Sequence, residues 1–345
     1  MKQKLFNVLK FLAFISIGIY LFWKVYKDQP IDELIESAQH VNYWWIGLGL
    51  LIGILSHFIR ALRWGIALDS MGISARRDNL FHSVMVGYLA NLVIPRMGEV
   101  SRAAVLKKYN QVPFSSGFGT IVSERIIDLL LLGAATVYVV LFENNIILQF
   151  FQNNPAISEN VQALLSARNL IIISIVVLVA IIGYLFLMFK KGTEHSLLSK
   201  ISIKLQTFKE GLFSIFKLNK PLLYILYSIL IWLCYYLMLY VSFPAFSFSE
   251  TMDFGAGAIL VVFVLGSYGM VAPVQGGIGA YHFMVISALI IYGLDDSNAR
   301  LFALIVHVSQ TIMLIVVGLI SLSVLPLINR KILKEDNNGS IKPDN

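Results

Sequence analysis

The chain has 345 residues, 57% of them hydrophobic and only 14% charged, with a mean hydropathy of +0.76. A soluble domain carries about 25% charged residues, so this composition excludes a soluble enzyme or binding module and makes the bilayer the solvent. The net charge of +7 is distributed between apolar runs, where basic side chains set topology and meet anionic headgroups; nucleic acid is not an expected partner.

Crossing a hydrocarbon core of roughly 30 Å takes about 20 apolar residues. The first such run, about Leu5 to Trp23, follows Met1-Lys2-Gln3-Lys4 and has no small-residue cleavage site, so it reads as a retained span. An acidic stretch with Asp28, Asp32, Glu33 and Glu36 leads to a second span, about Tyr43 to Ile59. That span opens on the interfacial aromatics Tyr43, Trp44 and Trp45 and is closed by Arg60 and Arg63. The segment from about Asn79 to Pro95 is apolar but short, broken by Gly87, Asn91 and Pro95. Long runs follow at about Ile121 to Phe142 and Leu170 to Phe189. Residues 195–218 alternate apolar side chains at helical spacing with Lys200, Lys204, Lys209 and Lys217. This reads as a basic amphipathic helix on the membrane surface or as an ordinary connecting helix. A span from about Pro221 to Phe243, a second interrupted segment from about Phe254 to Tyr292 and a last span from about Leu301 to Ile328 complete a transmembrane domain over residues 1–330. Residues 331–345 read as a disordered cytoplasmic tail.

Charge orients the bundle. Segments 1–10, 60–80, 96–108, 190–220 and 329–334 hold 21 of the 27 Lys and Arg. The intervening loops hold Lys24, Lys27, Arg168 and Arg300 against ten acids. Both termini are therefore expected on the cytoplasmic side of a bacterial inner membrane.

The two interrupted segments share a pattern. One reads Asn91-Leu-Val-Ile-Pro95-Arg96-Met97-Gly98-Glu99, the other Met270-Val-Ala-Pro273-Val-Gln275-Gly276-Gly277-Ile278-Gly279. Proline breaks the hydrogen-bond ladder and glycine lets the chain turn. The first segment enters from the basic side and the second from the acidic side, as expected of an inverted repeat with broken helices meeting near mid-membrane. Their half-helix N-termini are candidate phosphate sites.

Charged residues within apolar segments are costly and point to a polar cavity. Arg60 and Arg63 share a helix face. Arg96, Glu99 and Arg102 recur at three-residue spacing and could alternate charge along one face. Glu124 and Asp128 share a face, and Arg125 can approach Asp128. His57, His82, His282 and His307 also fall in apolar segments, without metal-ligand spacing. We expect no metal and no cofactor. The single cysteine, Cys234, forms no intrachain disulfide. No Walker loop, Gly-x-Ser-x-Gly or His-Glu-x-x-His occurs in a context fit for catalysis.

Four pieces of the sequence together resemble the flippase-like family, the transmembrane region of lysylphosphatidylglycerol synthases and their stand-alone relatives. They are Arg60-Ala-Leu-Arg63; Asn91-x-x-x-Pro95-Arg96-x-Gly98-Glu99-x-x-Arg102; Ser123-Glu124-Arg125-x-x-Asp128; and Gly276-Gly277-Ile278-Gly279. The resemblance covers about residues 10 to 330. It implies an all-α polytopic bundle of about eight membrane-embedded helices with two re-entrant elements, and the movement of lipid or lipid-linked cargo between leaflets. It further implies that the lysyltransferase domain of the bifunctional relatives is missing, and with it enzyme activity. The sequence departs from the family pattern at Gln275, in place of the proline that opens Pro-Gly-Gly, and at His282, in place of a glutamate. A histidine supplies no permanent negative charge near neutral pH, which argues against an aminoacylated cargo and leaves anionic or isoprenoid-linked lipids.

The expected activity is therefore lipid translocation. The candidate site is Arg60, Arg63, Asn91, Arg96, Glu99, Arg102, Glu124, Arg125, Asp128, Gly276, Gly277, Gly279 and His282. Two alternatives are a membrane partner of a glycosyltransferase or lipid-modifying enzyme, docked through residues 195–218, and an intramembrane enzyme using Glu99, Glu124, Asp128 and His282 as acid–base groups.

Overall fold

The computed structural model describes residues 31–164 and 197–330, together with Ser16, Tyr20, Phe22, Trp23, Val25, Tyr26 and Lys27. Most of the first expected span, the span from Leu170 to Phe189 and the tail over 331–345 lie outside the described residues. Twelve α-helices are seen among those described: α1 (Ile31–Gln39), α2 (Tyr43–Asp69), α3 (Arg77–Val93), α4 (Met97–Asn110), α5 (Phe114–Phe142), α6 (Asn144–Asn153), α7 (Pro155–Leu164), α8 (Leu197–Leu212), α9 (Pro221–Tyr240), α10 (Ala256–Val271), α11 (Ala280–Ile291) and α12 (Asp296–Ile328). Four of these, α2, α5, α9 with its short extension to Ala245, and α12, are long and apolar enough to cross a membrane. With the shorter helices α3, α4, α10 and α11 packed among them, the described residues form a polytopic helical bundle.

Helix boundaries follow local chemistry. Asn42 accepts the Trp44 amide at the start of α2, and Asp295 accepts the Asn298 amide at the start of α12. Pro221 opens α9, where its missing N–H costs nothing. Pro95 and Pro273 do the opposite. Each forces the residue before it, Ile94 (ψ 123°) or Ala272 (ψ 143°), into extended backbone and ends the helix there. The chain then doubles back. Asn79, at the start of α3, donates to Asn110 at the end of α4, so α3 and α4 form an antiparallel hairpin with both open ends together. Gly269 lies against Tyr281, and the Phe254 and Tyr292 rings meet at the far end; α10 and α11 form the second hairpin. At 1.5 Å per residue α10 and α11 extend only about 24 and 18 Å, short of a roughly 30 Å core. Both interrupted segments are therefore re-entrant in geometry.

The hairpins enter from opposite ends. The open end of α3–α4 carries Arg76, Arg77, Lys107 and Lys108; that of α10–α11 adjoins Asp253, Asp295 and Asp296. Helix α12 is the spine between them. Its His307 touches the second tip at Gly276, and its Gly318 lies against Met85 and Leu89 of the first hairpin. Helix α2 pairs antiparallel with α9, through Gly49 and Gly53 against Met238 at one end and Ile66 and Ala67 against Tyr224 at the other. Helix α8, within the stretch read as amphipathic, crosses α5 at Gly119 and Gly211, so closely that a Cβ on Gly119 would stand 3.0 Å from the Gly211 Cα. Phe213 and Phe216 beyond it are exposed.

Two apolar clusters flank a polar layer. One, around Phe243, Phe246, Phe248 and Phe302, fills the acidic end; the other, around Trp64, Leu80, Leu106 and Ile121, fills the basic end. Along α5 the order is Ile121 in one cluster, then Glu124 and Asp128, then Leu132 in the other.

The first hairpin closes over glycine. A Cβ on Gly98 would stand 2.5 Å from the Gly87 carbonyl and 2.6 Å from Asn91 Nδ2, whereas one on Gly47 would meet nothing within 4 Å. Gly98→Ala is therefore expected to destabilise the protein by about 1–3 kcal/mol, and Gly47→Ala to cost nothing. Thermal unfolding of both variants in detergent measures the difference.

Candidate functional site

The carboxylates of α5 organise the polar layer. Asp128 is the fifteenth of the 29 residues of α5, half-way along the helix. Its two oxygens take one arginine each: Arg60 Nη1 donates to Oδ2 at 2.8 Å and Arg63 Nη1 to Oδ1 at 2.9 Å. Because Arg60 and Arg63 are three residues apart on α2, one carboxylate spans both. One turn earlier, Glu124 receives Arg102 Nη2 from α4 at 2.8 Å and faces Arg63 Nε at 3.6 Å. The side chains of Arg63 and Glu124 have no exposed area, and that of Arg102 only 4%. Aromatic faces cover the guanidiniums: Arg102 lies 4.3 Å from the Trp64 ring centroid, Arg63 5.6 Å from Tyr224 and Arg60 5.9 Å from Tyr235. Arg60 also donates to the Tyr235 hydroxyl at 3.2 Å, which in turn meets the Tyr88 hydroxyl at 3.1 Å; Arg63 donates to Ser228 at 3.1 Å.

Arg125 stands apart. It is the half-open arginine of the group, with 38% of its side chain exposed, and its carboxylate neighbours Glu99 and Asp128 are 3.7 Å away. Its Nε, like Oε2 of Glu99, is buried with no hydrogen-bond partner among the described residues. The spacing of Arg96, Glu99 and Arg102 suggests charges alternating along one helix face. Instead Arg102 and Glu99 reach α5, and Arg96 leaves the helix altogether.

Arg96 belongs to the hairpin tips, which clasp each other. Arg96 Nη2 donates to the carbonyl of Val271, the last residue of α10, at 2.7 Å; Gln275 Nε2 donates to the carbonyl of Val93, the last residue of α3, at 2.7 Å. Val93 and Val271 are both two residues before the tip proline, so each tip supplies a donor for the helix end that the other's proline left open. Arg96 sits in the left-handed region (φ 64°), unusual for a side chain with a Cβ. In the second tip Gly276, Gly277 and Gly279 take that conformation without cost. Each tip is also capped from within. Asn91 Oδ1 accepts the Gly98 amide at 2.6 Å, and His282 Nδ1 accepts the Gly279 amide at 3.2 Å. These two amides, among those considered for phosphate, are already engaged.

A cavity of about 460 Å³ lies between the polar layer and the clasped tips. Of the sequence candidates, Arg60, Asn91, Arg96, Glu99, Arg125, Asp128, Gly276 and Gly277 line it. Arg63, Arg102 and Glu124 form a buried row behind its wall. Gly279 and His282 also lie off the cavity; His282 is enclosed by the rings of Phe22, Tyr26, Tyr281 and His307. The sequence reading passed over Tyr88, Ser228 and Tyr235. The signal was present on α9, where Tyr224, Ser228 and Tyr235 recur at i, i+4 and i+11, a polar stripe on an otherwise apolar span. His57 and His307, two of the histidines that fall in apolar segments, also line the cavity.

The family model of the lysylphosphatidylglycerol synthase TM region matches residues 8–318. The chain belongs to this family. A UPF0104 membrane protein of Methanocaldococcus jannaschii is 28% identical over 142 residues, 40% of each chain. This chain therefore spans well under two thirds of that relative. Another, from Methanothermobacter thermautotrophicus, is 25% identical over 279 residues, 74% of this chain and 77% of the relative. Glycosyltransferase AglD of Haloferax volcanii is 31% identical over 86 residues, 25% of this chain and 14% of that protein. No solved structure matches significantly. Family and apolar helices together make this a multi-pass membrane protein.

Removing one partner of a buried ion pair strands the other and costs about 3–5 kcal/mol, whereas replacing both with apolar groups can be nearly neutral. Arg102→Leu is expected to lose that much, and Arg102→Leu/Glu124→Leu to regain at least half of it. Denaturant unfolding of the single and double variants measures the coupling.

Proposed function

We propose that this protein is a lipid translocator of the cytoplasmic membrane, passing an anionic headgroup through the cavity while the acyl chains stay in the bilayer. The observation that carries this reading is the composition of the cavity wall. Arg60, Arg96, Arg125, Glu99 and Asp128 stand beside apolar groups such as Leu132, Phe263 and Leu314, at the level of the middle of α5. A headgroup at bilayer centre loses its hydration shell. Arginines held by carboxylates and aromatic faces replace that shell with donors fixed in advance. Arg125 is the natural receiver of a phosphate, because Arg60 is already committed to Asp128 and Tyr235 whereas Arg125 has only long contacts. The excess of Lys and Arg at the open end of α3–α4 supports a cytoplasmic position for that end.

A second reading, a membrane partner of a glycosyltransferase, is favoured by the 86-residue likeness to glycosyltransferase AglD. Headgroup-labelled phosphatidylglycerol in proteoliposomes separates the two. The parent protein is expected to accelerate headgroup transfer over protein-free vesicles, and Arg125→Gln to slow it at least tenfold with an unchanged melting temperature. Equal acceleration by both would mean a nonspecific leak and would defeat the translocator reading. No acceleration by the parent would favour the partner reading.

A further inference from the structure

Around the cavity, one carboxylate and one arginine have no hydrogen bond among the described residues: Glu99 of α4 and Arg125 of α5. They face each other at 3.7 Å, and Glu99 Oε2 is buried without a partner. The other two carboxylates are held fast. Asp128 takes Arg60 at 2.8 Å and Arg63 at 2.9 Å, and Glu124 takes Arg102 at 2.8 Å. The other cations of the first hairpin are committed too. Arg96, three residues before Glu99, donates to the Val271 carbonyl, and Arg102, three residues after it, is the one on Glu124.

Arg125 is therefore the arginine with loose partners to exchange. An anion that takes its guanidinium by close, charge-assisted bonds draws it off Glu99. Asp128 loses a 3.7 Å contact at the same time but keeps two arginines, and Glu124 keeps Arg102. Glu99 keeps none. A poorly solvated carboxylate left beside a second anion takes up a proton in preference to holding the like charge.

We infer that Glu99 is a proton site, and that each anionic headgroup received at Arg125 carries one proton with it, which makes the protein a proton–lipid symporter. The inference rests on the translocator reading and supplies its driving force. The step is a single acid–base exchange. Hydronium on the side to which the cavity is open protonates the Glu99 carboxylate and leaves water. The proton goes to water on the other side when the anion departs and Arg125 returns to Glu99.

Other titratable groups face the same cavity: His57 and Arg60 from α2, Tyr88 from α3, Tyr235 from α9, Tyr281 from α11 and His307 from α12. Arg60 is held by Asp128 and Tyr235. A tyrosine hydroxyl already carries its proton near neutral pH. The histidines are the rival proton sites. His57 lies on the Tyr88 ring at 4.3 Å, and His307 meets the Gly276 carbonyl at 2.8 Å. Neither contact involves Arg125, so neither histidine loses a partner when Arg125 turns.

The test uses the full chain in detergent and a diether phosphatidylglycerol, whose phosphodiester stays ionised throughout and which has no ester carbonyl. Proton uptake on binding is read with a pH indicator, and the carboxylic acid band by infrared difference spectroscopy. The parent is expected to take up about one proton per lipid, to gain the band, and to bind up to about tenfold more tightly for each unit by which pH falls. Glu99→Gln is expected to bind with no uptake, no band and no pH dependence, and His57→Gln/His307→Gln to keep all three. Binding without uptake in the parent, uptake that persists in Glu99→Gln, or uptake that vanishes in the histidine variant would overturn the proton site; so would failure of the parent to bind. The parent's uptake and band do not require Glu99→Gln to fold. In proteoliposomes an imposed pH difference is expected to drive labelled headgroup from the acidic to the alkaline face. Uptake on binding with no headgroup movement would leave the proton site standing and remove translocation. Movement indifferent to the pH difference, with no uptake on binding, would keep translocation and remove the proton.

Discussion

Two carboxylates at the middle of α5 hold three arginines from two other helices, and the arrangement of the bundle depends on them. An ionised side chain at bilayer centre costs at least about 2.5–3.5 kcal/mol on insertion scales. Glu124 and Asp128 are tolerable only with Arg60, Arg63 and Arg102 against them, and the reverse is equally true. That mutual requirement fixes the rotation of α2 and α5 about their axes and draws α4 in behind them. It also leaves one arginine over. Arg125, on the same helix as both carboxylates, finds them already occupied and is turned toward the cavity.

The re-entrant hairpins solve a related problem for the backbone. A helix that stops at mid-membrane exposes its last carbonyls where no lipid can satisfy them. Here each stop is made by a proline and satisfied by the opposite hairpin, through Arg96 on Val271 and Gln275 on Val93. The first tip uses a long cationic side chain on a strained residue; the second uses glycines and a neutral amide. The two tips are therefore alike in logic and unlike in charge. His282, a candidate for headgroup contact by its position after the glycines, is spent on the Gly279 amide. A histidine three residues after a turn glycine is also well placed to cap the helix that follows.

Much of this was legible in the sequence because the physics involved is local. Apolar runs mark spans, Pro95 and Pro273 mark breaks, and a charge inside an apolar run marks a polar layer whatever the fold. The pairing of those charges was not legible. Spacing on α4 suggested that Arg96, Glu99 and Arg102 would face one way, yet the proline turn put Arg96 in a left-handed conformation and aimed it across to α10. Separating the wall of the cavity from the row behind it needed the packing of α4 on α5, in which Arg102 sinks beneath Trp64 while Glu99 stays at the rim. Tyr88 and Tyr235 escaped notice because tyrosine in a membrane span reads as an interfacial residue; here both lie deep, bonded to each other.

The clasp has a consequence for biogenesis. Its two hydrogen bonds join residues 175 and 182 positions apart. The first hairpin is synthesised and inserted long before Gln275 exists, so its tip carbonyl must wait without its final partner while the ribosome makes α5 through α10. Closing contacts of such sequence separation is slow, and a half-made chain with an unsatisfied helix end in the bilayer is the kind of species that quality control recognises. Assembly of this protein should therefore be limited by the arrival of Gln275, and truncation anywhere before residue 275 should leave the first hairpin without the donor that completes it.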